Sequence, residues 1–255
     1  MEPSLARESD LDEKLLELSS EMDAFEGYAY AHGLRIASIA DAIGKEFNLA
    51  AHDRFFMQQA ALVHDIGELA MNRSYIKENR ILTPTERLDL QRHPVIGEQD
   101  AAKRGLSRGV QLLIRWHHEW WNGAGYPDCL EGDQIPLAAR ILRVADSFAA
   151  LRDNRPRRKA MSVTDAKAHL KEWAGLEFDP KVVKAFLACD YVDMYEVEVP
   201  ERSADETISA GRETGSVDGP IGGRPQGAEP TARSMPQLET APADDQPLRS
   251  AEENE

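Results

Sequence analysis

Helix-period patterning runs almost without interruption from residue 11 to residue 189, and it limits the fold more than any other feature of the chain. LDEKLLELSSEMDAF (11–25) sets leucines at helical spacing among acids, as an amphipathic helix requires. YAYAHGLRIASIADAIGKEF (28–47) carries small and apolar residues on one stripe, and AHDRFFMQQAALVHDIGELA (51–70) predicts another helix after Asn48. In TPTERLDLQRHPVIGEQDAAKR (83–104), Thr83, Pro84 and Glu86 form a helix-start signature, with Thr83 as cap and Glu86 completing a capping box. Further helices are expected at 107–120, 136–153, 162–174 and 179–189. Only YVDMYEVEVP (191–200) alternates with a period of two, and it has no identifiable partner strand. The expected class is all-α.

Composition changes abruptly after residue 200. Residues 201–255 hold 12 acidic and 5 basic side chains, so this tail carries −7 of the net −15. It has six prolines, six glycines and no aromatic residue, too little apolar surface to offset the entropy of ordering it. The expected organisation is a helical extension over 1–24, a folded domain over 25–200 and a disordered tail over 201–255. The acidic balance argues against a nucleic-acid polymer as partner. No stretch approaches the roughly 18 apolar residues of a membrane span, and the N-terminus lacks the pattern of a secretion signal. Cys129 and Cys189 fit no zinc spacing and read as reduced thiols, so a cytoplasmic location is expected.

The chemistry sits in the histidines. His32 lies on the second helix, with Arg35 one turn on. His64 and Asp65 are adjacent in LVHDIGELA, His93 opens HPVIGEQ, His117 and His118 open HHEWWNGAGYP, and Asp146 lies in RVADSF. Taken singly, each has a bland reading: a histidine at a helix end is usually a cap or surface residue, and a lone aspartate such as Asp146 usually caps or pairs. His52 and His169 keep that reading. The set is what argues for a metal centre, because imidazole and carboxylate together suit first-row divalent ions. Seven ligands exceed what one ion needs and fit two ions sharing a bridging carboxylate. Two ions a few ångströms apart suit phosphoryl chemistry, and inward-facing helices are a common scaffold for them.

His32, HDIG at 64–67, His93, HHE at 117–119, GYP at 125–127 and VAD at 144–146 stand in the order of an HD-GYP domain. The chain resembles that branch of the HD superfamily over roughly residues 25 to 190. The resemblance implies an HD-superfamily helical bundle that cleaves cyclic-di-GMP to pGpG, GMP or both. It implies His32, His64, Asp65, His93, His117, His118 and Asp146 as ligands of two divalent transition-metal ions, iron or manganese, with Asp65 as the bridge and a catalytic residue. Tyr126, Arg155 and Arg158 match substrate-holding positions, and a guanidinium fork suits phosphate oxygens. A diguanylate cyclase or response regulator is an implied partner through the GYP loop.

The sequence departs from the family pattern at several points. Glu68 stands where the family has a catalytic-site lysine, and Ala149 where it has an aspartate. Arg157 replaces a tyrosine, Asn122 an aspartate, and Tyr28 a glutamate found in forms with a third metal. Two metals are therefore expected, and Glu68 and Ala149 are expected to weaken turnover. A metal-bound adaptor or sensor that binds cyclic-di-GMP without hydrolysis is the alternative; an HD phosphohydrolase for another nucleotide is a third reading, which GYP disfavours. With only residues 1–24 before the domain, regulatory input is expected from a separate protein.

Overall fold

A computed structural model describes residues 4–28, 31–78, 80–154 and 159–189. Ten α-helices occupy them: α1 Ser4–Glu26, α2 His32–Glu46, α3 Ala51–Leu62, α4 Ile66–Met71, α5 Pro84–Leu90, α6 His93–Lys103, α7 Arg108–Trp116, α8 Leu137–Leu151, α9 Val163–Glu172 and α10 Pro180–Ala188. No strand is present among the described residues, so the fold is all-α. The alternating stretch 191–200, Arg155, Arg158 and the tail lie outside them. None of the described helices is long and apolar enough to cross a membrane.

The centre of the bundle is α2 against α3 and α8. Ile36, Ile39, Ala40 and Ile43 recur at helical spacing on α2 and are buried against Ile141, Leu142, Ala145 and Phe148 of α8 and their neighbours. α1 adds Leu15, Leu18 and Met22 to the same core. The Asp23 carboxylate accepts the His32 backbone N–H at 3.0 Å, so α1 caps the helix that carries the first histidine. The Thr83–Glu86 capping box that opens α5 forms as its sequence predicts.

Two expected helices are each split in two, at places that matter for the site. The stretch 51–70 breaks after Leu62, and α4 restarts at Ile66, which frees His64 and Asp65 from the helical ladder. The stretch 83–104 breaks after Leu90. Pro94 has no N–H to donate to the carbonyl four residues back, which is that of Leu90, so the helix cannot run through. α4 then packs hard on α6: a Cβ at Gly67 would stand 1.9 Å from the His93 carbonyl oxygen. Only glycine permits that approach.

Candidate metal centre

Helix ends supply most of the donors. His64 and Asp65 lie between α3 and α4, His93 opens α6 just beyond α5, and His117 caps the end of α7 with His118 next to it. His32 opens α2, and Asp146 projects from the middle of α8. Their donor atoms gather into two groups, each with all atoms within 4.8 Å of one another: Asp65, His93, His117 and His118 in one, His32, His64 and Asp146 in the other. All seven residues expected from the sequence are thus brought together. Asp65 faces both groups. Its Oδ1 lies 3.2 Å from His93 Nε2 and 3.4 Å from His117 Nε2, while its Oδ2 lies 3.0 Å from His64 Nε2. In the second group, Asp146 Oδ1 is 3.6 Å from His32 Nε2 and 3.9 Å from His64 Nε2.

Ring orientation follows from backbone carbonyls left over at helix ends. His64 Nδ1 meets the Ala61 oxygen at 3.0 Å, His93 Nδ1 that of Leu90 at 2.8 Å, and His117 Nδ1 that of Ile114 at 2.7 Å. Each carbonyl belongs to the residue three back, in a turn where the helix ends or breaks. The Leu90 oxygen is the one that Pro94 leaves without its helical donor. A carbonyl only accepts, so each Nδ1 carries hydrogen and each ring turns its Nε2 into the cluster. His118 differs. Its Nδ1 lies 2.8 Å from Arg143 Nη1, a group that only donates, so Arg143 claims that lone pair. Arg143 is itself held by Glu177, 2.5 Å away and equally buried.

The donors fit a divalent cation. His32 Nε2, His64 Nε2 and Asp65 Oδ1 are buried without a hydrogen-bond partner, and their lone pairs point at other lone pairs. Such a cluster needs positive charge between its members: protons or metal ions. The titration behaviour agrees. Burial opposes charge on Asp65, yet His64, His117 and His93 hold its carboxyl well below the usual range. Burial likewise opposes ionisation of Asp146, but His32 and His64 bring it down to about 2. His64 is buried too, and Asp65 and Asp146 nonetheless hold its imidazole well above the usual histidine range. Burial depresses His117 and His118 and so favours their neutral form, and His117, with its Nδ1 hydrogen on Ile114, can bind without losing a proton.

The remaining candidates sit around this cluster. The Tyr126 ring stacks on His118 with centroids 4.9 Å apart and planes 25° from parallel. Its loop is folded back by Glu119, a buried carboxylate that accepts the N–H groups of Asp128 at 2.7 Å and Leu130 at 2.9 Å. Gly125 is required there, since a Cβ would lie 2.2 Å from the Trp120 nitrogen. Glu68 does not join either donor group. Its Oε1 lies 4.0 Å from His93 Nδ1, the nitrogen directed away from the cluster. Tyr28 lies flat on His32, at 3.8 Å and 9°. Asp153, Arg143 and Glu177 were not expected from the sequence. Asp153 Oδ2 lies 3.1 Å from His32 Nδ1 and also accepts from Arg35.

An all-α bundle that converges imidazoles and carboxylates on one buried spot defines a class of divalent-metal proteins. Residues 13–182 match the HD domain family, and the chain belongs to it. An HD domain implies divalent-metal binding, which agrees with the donor groups described above. Among curated proteins, the cyclic di-GMP phosphodiesterase response regulator RpfG of Xanthomonas campestris is 34% identical over 178 residues, covering 69% of this chain and 47% of that one. The 3'3'-cGAMP-specific phosphodiesterase 3 of Vibrio cholerae is 33% identical over 164 residues, 64% of this chain and 36% of that one. The chain therefore spans less than half the length of either relative. A crystal structure of a V. cholerae cyclic GMP-AMP specific phosphodiesterase shares the fold, with a TM-score of 0.57 at 24% identity over 69% of this chain and 47% of that one.

Proposed function

We propose that the chain is a metal-dependent phosphodiesterase that hydrolyses cyclic-di-GMP to pGpG, GMP or both, with turnover weakened by Glu68 and Ala149. The observation that carries this reading is the pair of donor groups, with Asp65 in one and 3.0 Å from His64 of the other, so that imidazole nitrogens and carboxylate oxygens converge. His32, His64 and Asp146 would hold one divalent ion and His93, His117 and His118 a second, iron or manganese, with Asp65 between. Two such ions, when bound, supply Lewis acidity for a phosphodiester and lower the pKa of a nearby water. The protein's own part is to fix the donors, exclude water around them and hold the substrate. Tyr126, stacked beside His118, offers a ring face at the edge of the cluster. Arg155 and Arg158 are assigned to the phosphate oxygens on the chemistry of their guanidinium groups. Relatives named for cyclic-di-GMP and for 3'3'-cGAMP support a cyclic dinucleotide as substrate. A cytoplasmic location and a signalling partner docking through the GYP loop belong to the same reading.

Glu68 favours a second reading, a metal-bound adaptor without turnover. A carboxylate 4.0 Å from His93 adds negative charge beside a site that must accept a phosphodiester. One experiment separates the two. Protein purified without oxygen is analysed for metals, then incubated with cyclic-di-GMP and with 3'3'-cGAMP, and the products are separated. The enzyme reading expects two ions per chain and a linear dinucleotide or mononucleotide product. Two ions with both substrates untouched would transfer the assignment to the adaptor. Absence of any bound transition metal would overturn the site itself.

A further inference from the structure

We infer that Asp153, braced by Arg35, is the positioning residue for the ion held by His32, His64 and Asp146. The inference rests on the metal-site reading above but not on the substrate. It starts from a difference among the histidines. His64, His93 and His117 follow helical turns, so a carbonyl three residues back is available to fix each ring. His32 is the first residue of α2 and has no preceding turn of that helix to draw on. Its Nδ1 instead finds a side chain 121 residues away, the Asp153 carboxylate at 3.1 Å.

The geometry gives that contact a definite consequence. Asp153 is buried and accepts from Arg35 Nη2, which also stands 3.3 Å from His32 Nδ1, so the three groups lock together. The Asp153 oxygen already accepts from Arg35 and stands closer to Nδ1 than the arginine does, so it takes the Nδ1 hydrogen and leaves Nε2 with the lone pair. That Nε2 is buried, has no hydrogen-bond partner, and lies 3.6 Å from Asp146 Oδ1. Asp146 lies on α8 and Asp153 just past its C-cap Arg152, so they hold the two nitrogens of one imidazole between them. Ala149 stands on the turn between, where the resembled family has an aspartate. Asp153 places a carboxylate just beyond the end of that helix. Arg35 reaches the same oxygen from α2 and fixes it in place. A carboxylate behind a ligating imidazole sets its tautomer and raises its basicity, and removing such a group typically costs roughly 10–100-fold in metal affinity.

The test uses the full chain, stripped of metal and titrated with manganese(II) without oxygen, with unbound ion followed by its six-line paramagnetic resonance signal. Wild-type protein should take up two ions per chain. Asp153→Ala should bind the first as wild type does and the second about 10–100-fold more weakly, with the spin-coupled pair signal replaced by that of a single ion. Asp153→Asn retains an oxygen that accepts from Nδ1 and should recover most of the second affinity. That recovery separates positioning of His32 from a general packing role. Asp153→Ala protein that binds both ions with unchanged affinity overturns the inference. So does equal weakening of both ions that Asp153→Asn fails to repair. Wild-type protein that binds no ion overturns the dinuclear reading and the inference together.

Discussion

The two donor groups are built by different means. Asp65, His93, His117 and His118 come from one stretch of 54 residues, 65–118, and two of their three imidazoles are oriented by carbonyls three residues away. His32, His64 and Asp146 come from three separated helical segments, and His32 depends on a side chain 121 residues distant. Local backbone orients His93 and His117 of the first group and His64 of the second; closure of α2 on the α8 end orients His32. A hydrogen bond to a backbone carbonyl survives most side-chain substitutions, whereas the contact to Asp153 can be removed by one. The first group has its own weak point in His118, whose Nδ1 is already engaged by Arg143.

The largest test of this contrast is to abolish it. Asp65 is the residue whose oxygens face both groups, so Asp65→Ala should empty both, taking metal content from two ions per chain to near none by elemental analysis. Retention of one ion would show that the groups are independent. Next comes charge on the first group's side. Glu68→Lys replaces an anion near His93 with a cation, and should raise cyclic-di-GMP hydrolysis. A well-aimed donor to developing charge is worth about 2.7–4 kcal/mol, on the order of a hundredfold in rate. The double change with Ala149→Asp is the fairer assay. Background rates in both variants with metals bound would leave the adaptor reading in front.

A smaller effect is expected from the contact that joins α4 to α6. Gly67→Ala places a methyl against the His93 carbonyl and forces the helices apart, at a cost of about 1–3 kcal/mol of stability. Thermal unfolding should register the loss, and the ion of the first group should weaken more than that of the second.

The smallest effect is a pH dependence of opposite sign in empty and loaded protein. His64 is held well above its ordinary value in the metal-free fold by Asp65 and Asp146, against burial. Its protonation therefore stabilises the empty protein fully below about pH 6.5, and that contribution is lost as pH rises through the raised value. A metal ion must displace the same proton, so apparent affinity should rise with pH over that window and level off above it. Melting curves of chelator-treated and loaded samples, taken across the window, should diverge. Parallel curves would show that His64 carries no proton for the metal to displace.

How much of this was legible in the sequence follows the same division. Six of the seven donors could be read because their motifs are short and local: HD, HP and HH put donors at helix ends, and VAD puts Asp146 within α8. The all-α class could be read because Ile36, Ile39 and Ile43, or Ile141, Ala145 and Phe148, keep one face buried over several turns. The breaks within 51–70 and 83–104 were missed, although Pro94 was a visible cue for the second. Asp153, Arg143 and Glu177 were out of reach because they act on partners 121, 25 and 34 residues away, and no local pattern marks such a pairing. The place of Glu68 was legible only as a departure from the family lysine; the structure puts its carboxylate 4.0 Å from His93 Nδ1.

The separation of His32 from Asp146 along the chain has a kinetic consequence. An ion held between α2 and α8 clips together segments that are far apart in sequence, so no partly folded piece lacking either helix can retain it. Loading must wait until both have docked, late in assembly. A sub-global opening that parts them, an event with its own free energy below that of complete unfolding, must release it. The rate at which a chelator strips the second ion, once independent of chelator concentration, would therefore time the parting of α2 from α8 in the native protein.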